Sequence, residues 1–414
     1  MMKLNTMALR TLYRNKRRTL ITSFSVAFGI FLAVTFTGSG DYSYTNMINT
    51  SVVMGFGHVS VEAYGYNESP SLARWLQGEK SVLDSALSYD SVEGAYARIM
   101  GQAMFAAGAK SVGGVFLGID PATEKPLHNF FLRSIVEGVL FDDTAGRGVV
   151  IGSEMAQKLN LRLGKKLIVT VTDKNGELAS ELLRVKGIFK TGDLAADSGI
   201  ALVPLGRAQD ILGYGDDGAS FVAVYVNDLR KVKNVRRSLA ATFDRDKSVE
   251  VLTWKETQSD LSGLVAVDRL FNYLIQFLVG LVIAAGIMNT MLMSVLERNR
   301  EFGIMMAVGM RPGQVVRLVI IESCWLGCLG LAIGVVFSIP WFYYMSEVGI
   351  DLAKHVGEDY SAGGVLVDPV MKLRLFKESA LAILVAVFAL TMAAAVYPAF
   401  RAGRVLPVDT LKEM

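Results

Sequence analysis

Four long hydrophobic runs alternate with charged or mixed segments along the chain. The runs cover residues 20–38, 270–296, 315–343 and 380–398. A bilayer core of about 30 Å needs about 20 apolar residues in a helix, so each run is long enough to cross a membrane. We therefore predict transmembrane helices at 20–40, 268–296, 315–343 and 379–398.

The segment between the first two runs, residues 41–267, has a mixed pattern that predicts an α/β domain. Asn175-Gly176 between two alternating runs is a strong β-hairpin signal. We predict strands at 57–64, 148–152, 166–173, 177–189, 221–226 and 249–252, and helices at 70–87, 153–159 and 228–243. Residues 254–267 are polar and amphipathic, and we predict a helix that continues, or nearly continues, into the second membrane helix.

Lysine and arginine gather at the ends of the runs and give the chain an orientation. The positive-inside rule places 1–19, 297–314 and 399–414 in the cytoplasm, and 41–267 and 344–378 outside. Lys372, Arg374 and Lys377 weaken the rule in the second outer segment. The first run could also be a cleaved signal peptide, although it is longer than a usual signal core and no A-x-A-like site follows it.

Small residues recur four positions apart in the runs, where they allow helix backbones to approach closely in lipid. The packing positions that we single out are Gly29, Gly280, Gly330 and Gly334. Glu322 is a carboxylate inside the third run, and such a residue is a functional candidate by default. Because it lies about two turns from the predicted cytoplasmic end, we favour an interfacial or capping role over a proton relay, and we count it among the packing positions.

Composition supports a membrane protein with a sizeable soluble part. The chain is 52% hydrophobic with a mean hydropathy of +0.38, and its net charge of +3 does not indicate a nucleic-acid partner. Both cysteines, Cys324 and Cys328, lie in the third run, so no disulfide framework holds the insert. The three histidines lack metal-ligand spacing.

Sequence motifs for nucleotide, peptide or ester hydrolysis are absent. There is no G-x-x-x-x-G-K-[ST], no G-x-S-x-G and no H-E-x-x-H. We therefore predict that the chain is not an enzyme and carries no cofactor or metal of its own. The charged, amphipathic segment 297–311, between the second and third runs, is well placed to receive a push from a soluble partner.

Four local patterns together carry a resemblance to a known family. Residues 297–309 are similar to E-R-x-x-E-I-G-x-x-x-A-x-G, with Phe302 in place of the usual isoleucine. Glu322 with its following glycines, Tyr397-Pro398-Ala399, and the basic leader before Leu20 match three further signatures. The chain thus resembles, over essentially its whole length, the permease subunits of the MacB/LolC/LolE/FtsX superfamily of ABC transporters.

The resemblance implies an architecture and a set of partners. Four helices would cross the inner membrane, and a large MacB-like domain with an inserted lobe near 112–195 would lie in the periplasm between the first and second of them. Two ATPase subunits, which hold ATP and Mg²⁺, and a second permease chain, identical or paralogous, would complete the transporter. Segment 297–314 would be the coupling helix, with contacts to the ATPase from Glu297, Arg298, Arg300, Glu301, Phe302, Gly303, Met306 and Gly309.

The substrate class is less narrowly defined by sequence. Residues 118–121, 150–152 and 187–205 are similar to lipoprotein-releasing permeases, and parts of the pattern also occur in macrolide and peptide exporters. We expect extraction of lipoproteins for handover to a carrier. Their acyl chains would contact Phe31, Phe36, Tyr273 and Phe277, whose alternative role is ordinary packing. There are two alternative functions. The chain could export macrolides or peptides together with a periplasmic adaptor, or it could transmit a signal that activates a cell-wall hydrolase.

Overall fold

The computed structural model describes residues 2–14, 16–244, 246–351, 361–362, 365–366 and 370–405. Contacts divide the chain into two units. The helical unit comprises Met1–Tyr44, Val267–Leu352 and Val370–Met414, and the mixed unit comprises Thr45–Ala266 and Ala353–Pro369.

The helices and strands of the described residues are numbered in chain order. The helices are α1 Met2–Arg14, α2 Lys16–Val53, α3 Glu79–Leu87, α4 Phe130–Arg133, α5 Ser153–Lys158, α6 Leu194–Gly199, α7 Leu205–Leu212, α8 Val232–Thr242, α9 Trp254–Thr257, α10 Ser259–Glu297, α11 Asn299–Ala307, α12 Pro312–Glu347 and α13 Lys377–Gly403. The strands are β1 Val59–Ala63, β2 Leu76–Gln77, β3 Val92–Ala107, β4 Lys110–Ile119, β5 Ile135–Gly138, β6 Gly148–Gly152, β7 Lys166–Thr172, β8 Leu178–Phe189, β9 Ile200–Pro204, β10 Gly218–Ala219, β11 Phe221–Val226, β12 Val249–Thr253, β13 Ile350–Asp351, β14 Ser361–Ala362, β15 Val365–Leu366 and β16 Val370–Met371.

In the part of the chain that the structure describes, four helices are long and apolar enough to cross a membrane, as the four hydrophobic runs predict. They are Thr19–Val53 within α2, then α10, α12 and α13. Two of these helices are longer than the predicted membrane segments. Helix α2 continues to Val53, and α10 starts at Ser259. A short break at Gln258 separates α10 from α9, whose start carries a capping box between Thr253 and Glu256.

The helical unit has a core to which all four long helices contribute. Val26 and Ile30 of α2 pack with Ile287 of α10, Leu326 of α12 and Ile383 of α13. Dispersion and close fit, rather than the release of water, hold such a core together in lipid.

Two predicted glycine positions make close contacts between α12 and α2. A Cβ at Gly330 would lie 2.6 Å from Cβ of Val26, and one at Gly334 would lie 3.0 Å from Cα of Ala27. Gly29 faces Ile283 of α10, at 3.1 Å. Within one chain, these small residues therefore bring α2 against both α10 and α12.

The mixed unit is built on a ten-stranded sheet in the order β12-β1-β11-β3-β4-β9-β6-β8-β5, and β7 pairs with β3 and β8. The first half of β3 pairs with β11 and its second half with β4 and β7, so one long strand links two parts of the sheet. Because β9 pairs with β4 and β6, that second part includes strand residues beyond 112–195.

Six strands of the mixed unit match the predicted segments, namely β1, β6, β7, β8, β11 and β12, whereas β2, β3, β4, β5, β9 and β10 were not predicted. The hairpin of β7 and β8 forms with Gly176 at φ +87°, as Asn-Gly predicts. The helix predicted at 70–87 is wrong in its first half, where β2 and Gly78 at φ +75° precede a helix that starts only at Glu79. The long β3–β4 hairpin was not predicted at all.

A buried cluster of polar side chains fixes the end of α2 to the sheet of the mixed unit. Arg98 of β3 is fully buried and donates from Nη1 to the carbonyl of Gly55, at 2.5 Å, and to Tyr225 Oη, at 2.9 Å. Its Nη2 pairs with Glu124. Tyr225 in turn donates to the carbonyl of Val52 at 3.1 Å. The cluster therefore donates to two carbonyls at and just beyond the end of α2, and the Val52 carbonyl also accepts from the backbone N–H of Gly57 at 3.0 Å.

Candidate functional site

Helix α11 is a short helix held between two long ones. It starts after Arg298, where α10 has ended at Glu297, and the chain turns at Gly309 with φ +104° before Pro312 opens α12. Glycine adopts this left-handed conformation without steric cost, and proline is favoured in the first turn of a helix. The local sequence therefore sets both ends of the segment.

Arg298 and Glu322 form a buried ion pair at the base of α11. Arg298 Nη1 donates to Glu322 Oε2 at 2.8 Å, and their side chains are 7% and 5% exposed. Arg298 Nε also donates to Glu301 Oε2 at 2.9 Å, and Glu301 pairs with Arg14 of α1. Glu322 is thus an ion-pair partner of Arg298 in this structure.

The charges around Glu301 favour its ionised form. Partial burial alone would raise the pKa of this carboxyl group, but the hydrogen bond and charge of Arg298, with the charge of Arg14, lower the pKa below its usual value. The pKa of Arg298 is raised in spite of its burial, because Glu322 and Glu301 stabilise the guanidinium. The pKa shifts of Glu301 and Arg298 therefore both favour the charged form of the side chain.

Phe302 anchors α11 in an apolar cluster. Its side chain is 1% exposed and packs with Val295, Val315, Val319, Ala399 and Ala402, from α10, α12 and α13. The Arg298 guanidinium lies 4.9 Å from the centre of the Phe302 ring, within cation–π range. Helix α11 is thus packed onto the ends of three long helices.

The predicted coupling residues divide between the inner and outer faces of α11. Arg298, Phe302 and Gly303 are buried, whereas Glu301 and Met306 are half-buried; Glu297, Arg300 and Gly309 are exposed. Two further residues, Ile304 and Val308, are 47% and 84% exposed and were not among the predicted coupling residues. Together with Arg300 they recur every four residues, the spacing of one helix face, and that was the available signal.

A cavity of about 490 Å³ lies between α2, α10 and α13. Phe36, Tyr273 and Phe277, three of the four predicted substrate contacts, line it. Phe31 does not line it; its ring instead packs on Trp341 of α12, with centroids 5.6 Å apart. Gly280 lies in the wall, and a Cβ there would meet only Leu390, at 3.8 Å, so this glycine leaves space rather than making a close contact.

The cavity has an apolar part and a polar end. Ala33, Ile283 and Val387 are among the apolar lining residues, whereas Asp41, Tyr44, Asp268, Arg269, Asn272 and Gln276 form a polar end. Gln276 donates to Asn272 at 2.6 Å, and the Arg269 guanidinium lies 4.1 Å from the centre of the Tyr44 ring. Such a cavity suits an amphipathic ligand with a long apolar part. Among the described residues, no group of three or more His, Cys, Asp or Glu side chains could hold a metal ion.

Two family models match the chain and together cover most of it. Residues 19–242 match the MacB-like periplasmic core domain, and residues 273–407 match the FtsX-like permease C-terminal region. The first of these alone accounts for more than half of the chain.

Three relatives illustrate the breadth of the similarity. The lipoprotein-releasing system transmembrane protein LolE of Haemophilus influenzae is 25% identical over 64% of this chain. An uncharacterized ABC transporter permease of Methanocaldococcus jannaschii is 24% identical over 98%, and the macrolide export ATP-binding/permease protein MacB of Nitrobacter winogradskyi is 23% identical over 96%. The match covers 64% of LolE, 97% of the archaeal permease and 58% of MacB, so the chain spans less than two thirds of two of them.

Proposed function

Because the chain belongs to the MacB/LolC/LolE/FtsX superfamily of ABC transporter permeases, we propose that it extracts lipoproteins from the outer leaflet of the inner membrane. In this proposal ATP is hydrolysed by a separate ATPase, and this chain converts the motion of that ATPase into release of the substrate. The observation that carries the proposal is the amphipathic cavity between α2, α10 and α13.

The cavity has the chemistry that a lipid-anchored protein requires. The apolar part, with Phe36, Phe277 and Val387, would accept an acyl chain, and burial of each CH₂ contributes about 0.8 kcal/mol. The polar end, with Asp41 and Arg269, would face the linkage between lipid and protein. Such a ligand must leave again, and a cavity closed by helices that can shift provides a route for its release.

The coupling site supports the same mechanism from the other end of α10. The outer face of α11, with Arg300, Ile304 and Val308, is available to a soluble partner. The inner face is tied by Arg298 and Phe302 to α12 and α13. A force applied to α11 would therefore act on the long helices instead of being absorbed by a loose loop.

Efflux of a small molecule or peptide is the second candidate function. The similarity to MacB over 96% of the chain favours it, because it extends over both family regions. This alternative uses the same coupling but predicts a periplasmic adaptor as the neighbour of the mixed unit, and a cavity occupied by free small molecules.

Photocrosslinking in living cells tests the two candidates. A benzoylphenylalanine at Phe277, which lines the cavity, is expected to capture acylated proteins, whereas one at Val282, which is 73% exposed on the same helix but not in the cavity, is expected to capture few. Gly280→Leu, which fills the cavity, should reduce the yield at Phe277 several-fold. Equal capture at both positions, or capture of an adaptor alone by probes in the mixed unit, would reject lipoprotein extraction.

A further inference from the structure

A second cleft of about 670 Å³ lies where α1 and α2 meet the end of α10. Its lining includes the cations Arg14, Lys16 and Arg17, the carboxylate of Glu297, and the apolar side chains of Ile21 and Met293. The cleft lies near the end of α10 that leads into α11, whereas the substrate cavity lies along its first half. Nothing in the transport mechanism above uses it.

The cleft carries excess positive charge that its neighbours only partly compensate. Arg14 pairs with Glu301, but no ion pair is found for Lys16 or Arg17 among the described residues. Lys16 Nζ instead lies 5.9 Å from the centre of the Tyr13 ring. The cleft therefore offers two cations, Lys16 and Arg17, to an anion, and its lining also includes the carboxylate of Glu297.

Apolar surface lies next to this charge. Ile21 and Met293 are 51% and 56% exposed, although they are on hydrophobic helices. Helix α1 contributes Leu9 and Tyr13, at 41% and 80% exposure, and is held against α12 by a 2.7 Å hydrogen bond from Trp325 Nε1 to Asn5 Oδ1. A basic helix with exposed apolar residues, packed beside membrane helices, has the character of a helix in the membrane interface.

We propose that this cleft binds the phosphodiester headgroup of an anionic phospholipid from the cytoplasmic leaflet. Lys16 and Arg17 pair with the phosphate, and the acyl chains lie along Ile21 and Met293. Basic pockets between membrane helices on the cytoplasmic side bind such headgroups by this combination of charge and apolar surface. Since Arg14 lines the same cleft and also holds Glu301, the bound lipid adjoins the network that anchors α11.

Native mass spectrometry of the full chain, purified with defined lipids, tests the assignment. The wild-type protein is expected to retain phosphatidylglycerol much more than phosphatidylcholine. Lys16→Gln with Arg17→Gln should lower retention roughly thirtyfold, since each basic residue near an anionic headgroup contributes about 1 kcal/mol. Arg10→Gln with Arg317→Gln, which removes the same charge at exposed positions outside the cleft, should change it less than about twofold.

Three results would overturn the proposal. Equal retention of the two lipids by the wild-type protein would show that the cleft does not select charge, and this outcome needs no variant. Equal losses in the two double variants would show a diffuse electrostatic effect. Displacement of the lipid by millimolar inorganic phosphate would show a site for the free anion. None of these results bears on whether lipoproteins occupy the other cavity, so the two proposals fail separately.

Discussion

At the scale of single residues, Glu62 of β1 is an acid placed where an ionised group is costly. It is fully buried, accepts a hydrogen bond from Ser60 Oγ at 3.1 Å, and pairs across the sheet with Glu250. Burial, together with the charge of Glu250, raises the pKa of Glu62 to about 7 against the opposing effect of the hydrogen bond from Ser60. The mixed unit thus contains a carboxyl group that is largely protonated below pH 7.

Linkage fixes how this group changes stability with pH. The folded-state pKa of about 7 lies above the ordinary value of 4.5, so the folded protein binds more protons between these values. Its contribution to stability is full below pH 4.5 and is lost as the pH rises through 7. His58 acts in the opposite sense, because burial lowers its pKa to about 4 and its contribution is lost as the pH falls from 6.5.

We predict that Glu62→Gln stabilises the protein at pH 8 and has little effect at pH 5. A neutral amide removes the cost of the buried charge, which is worth up to about 3 kcal/mol for a shift of this size. Thermal unfolding of the full chain in detergent should show a higher Tm at pH 8 only. Glu177→Gln, on the exposed turn of the β7–β8 hairpin, is the control. The same Tm change at both pH values would contradict the prediction.

At the scale of elements, α11, the segment that we propose couples to the ATPase, has a buried face and an exposed face. A sequence motif names residues of both faces alike, but Phe302 and Gly303 are buried and Arg300 is exposed. Substitutions on the inner face would disturb the packing of α11 itself. Only the outer face can report on docking to a partner.

We therefore predict that Arg300→Glu prevents binding of the ATPase while the chain remains folded. An exposed side chain can be reversed in charge with little effect on stability, but a complementary surface would meet a like charge. Co-purification of the ATPase should fall at least about tenfold. Arg317→Glu, an equal charge reversal on the exposed face of α12, should leave it nearly unchanged. If both variants bind normally, α11 is not the docking helix.

The elements that the sequence could predict are those with a strong local signal. The four long helices and the β7–β8 hairpin follow from local signals, namely run length and Asn-Gly. The strand β3 does not, because Gly94–Ile99 is buried on both faces, which removes the alternation that marks a half-buried strand. The helix at 70–87 failed for a different reason, since Gly78 takes a left-handed conformation that starts α3 late.

At the scale of the whole molecule, one long helix stands out for how little of it is covered. In its most hydrophobic stretch, α10 has 6% of its residues buried, against 44% in α2 and 39% in α12. The sequence gives the existence of this helix but not its exposure, because hydrophobic residues that face lipid and those that face protein look alike. Membership in the family leads us to propose that a second permease chain covers part of this surface.

Cysteine crosslinking tests this pairing. With Cys324 and Cys328 replaced by alanine, Val282→Cys on α10 is expected to form a dimer across the interface with a second chain in membranes. Val336→Cys, which is 66% exposed on α12, should crosslink several-fold less. A dimer from Val336 but not from Val282 would place the interface on the wrong helix.

The Arg298–Glu322 ion pair also has a consequence for how the protein is made. Arg298 leaves the ribosome 24 residues before Glu322, which at about 5–20 residues per second is a delay of about 1–5 s. During that interval the guanidinium has only Glu301 to balance it at the border of the lipid. Both carboxylate partners of Arg298 are therefore present only once the hairpin of α10 and α12 has been made, and we expect those two helices to integrate into the membrane as a pair.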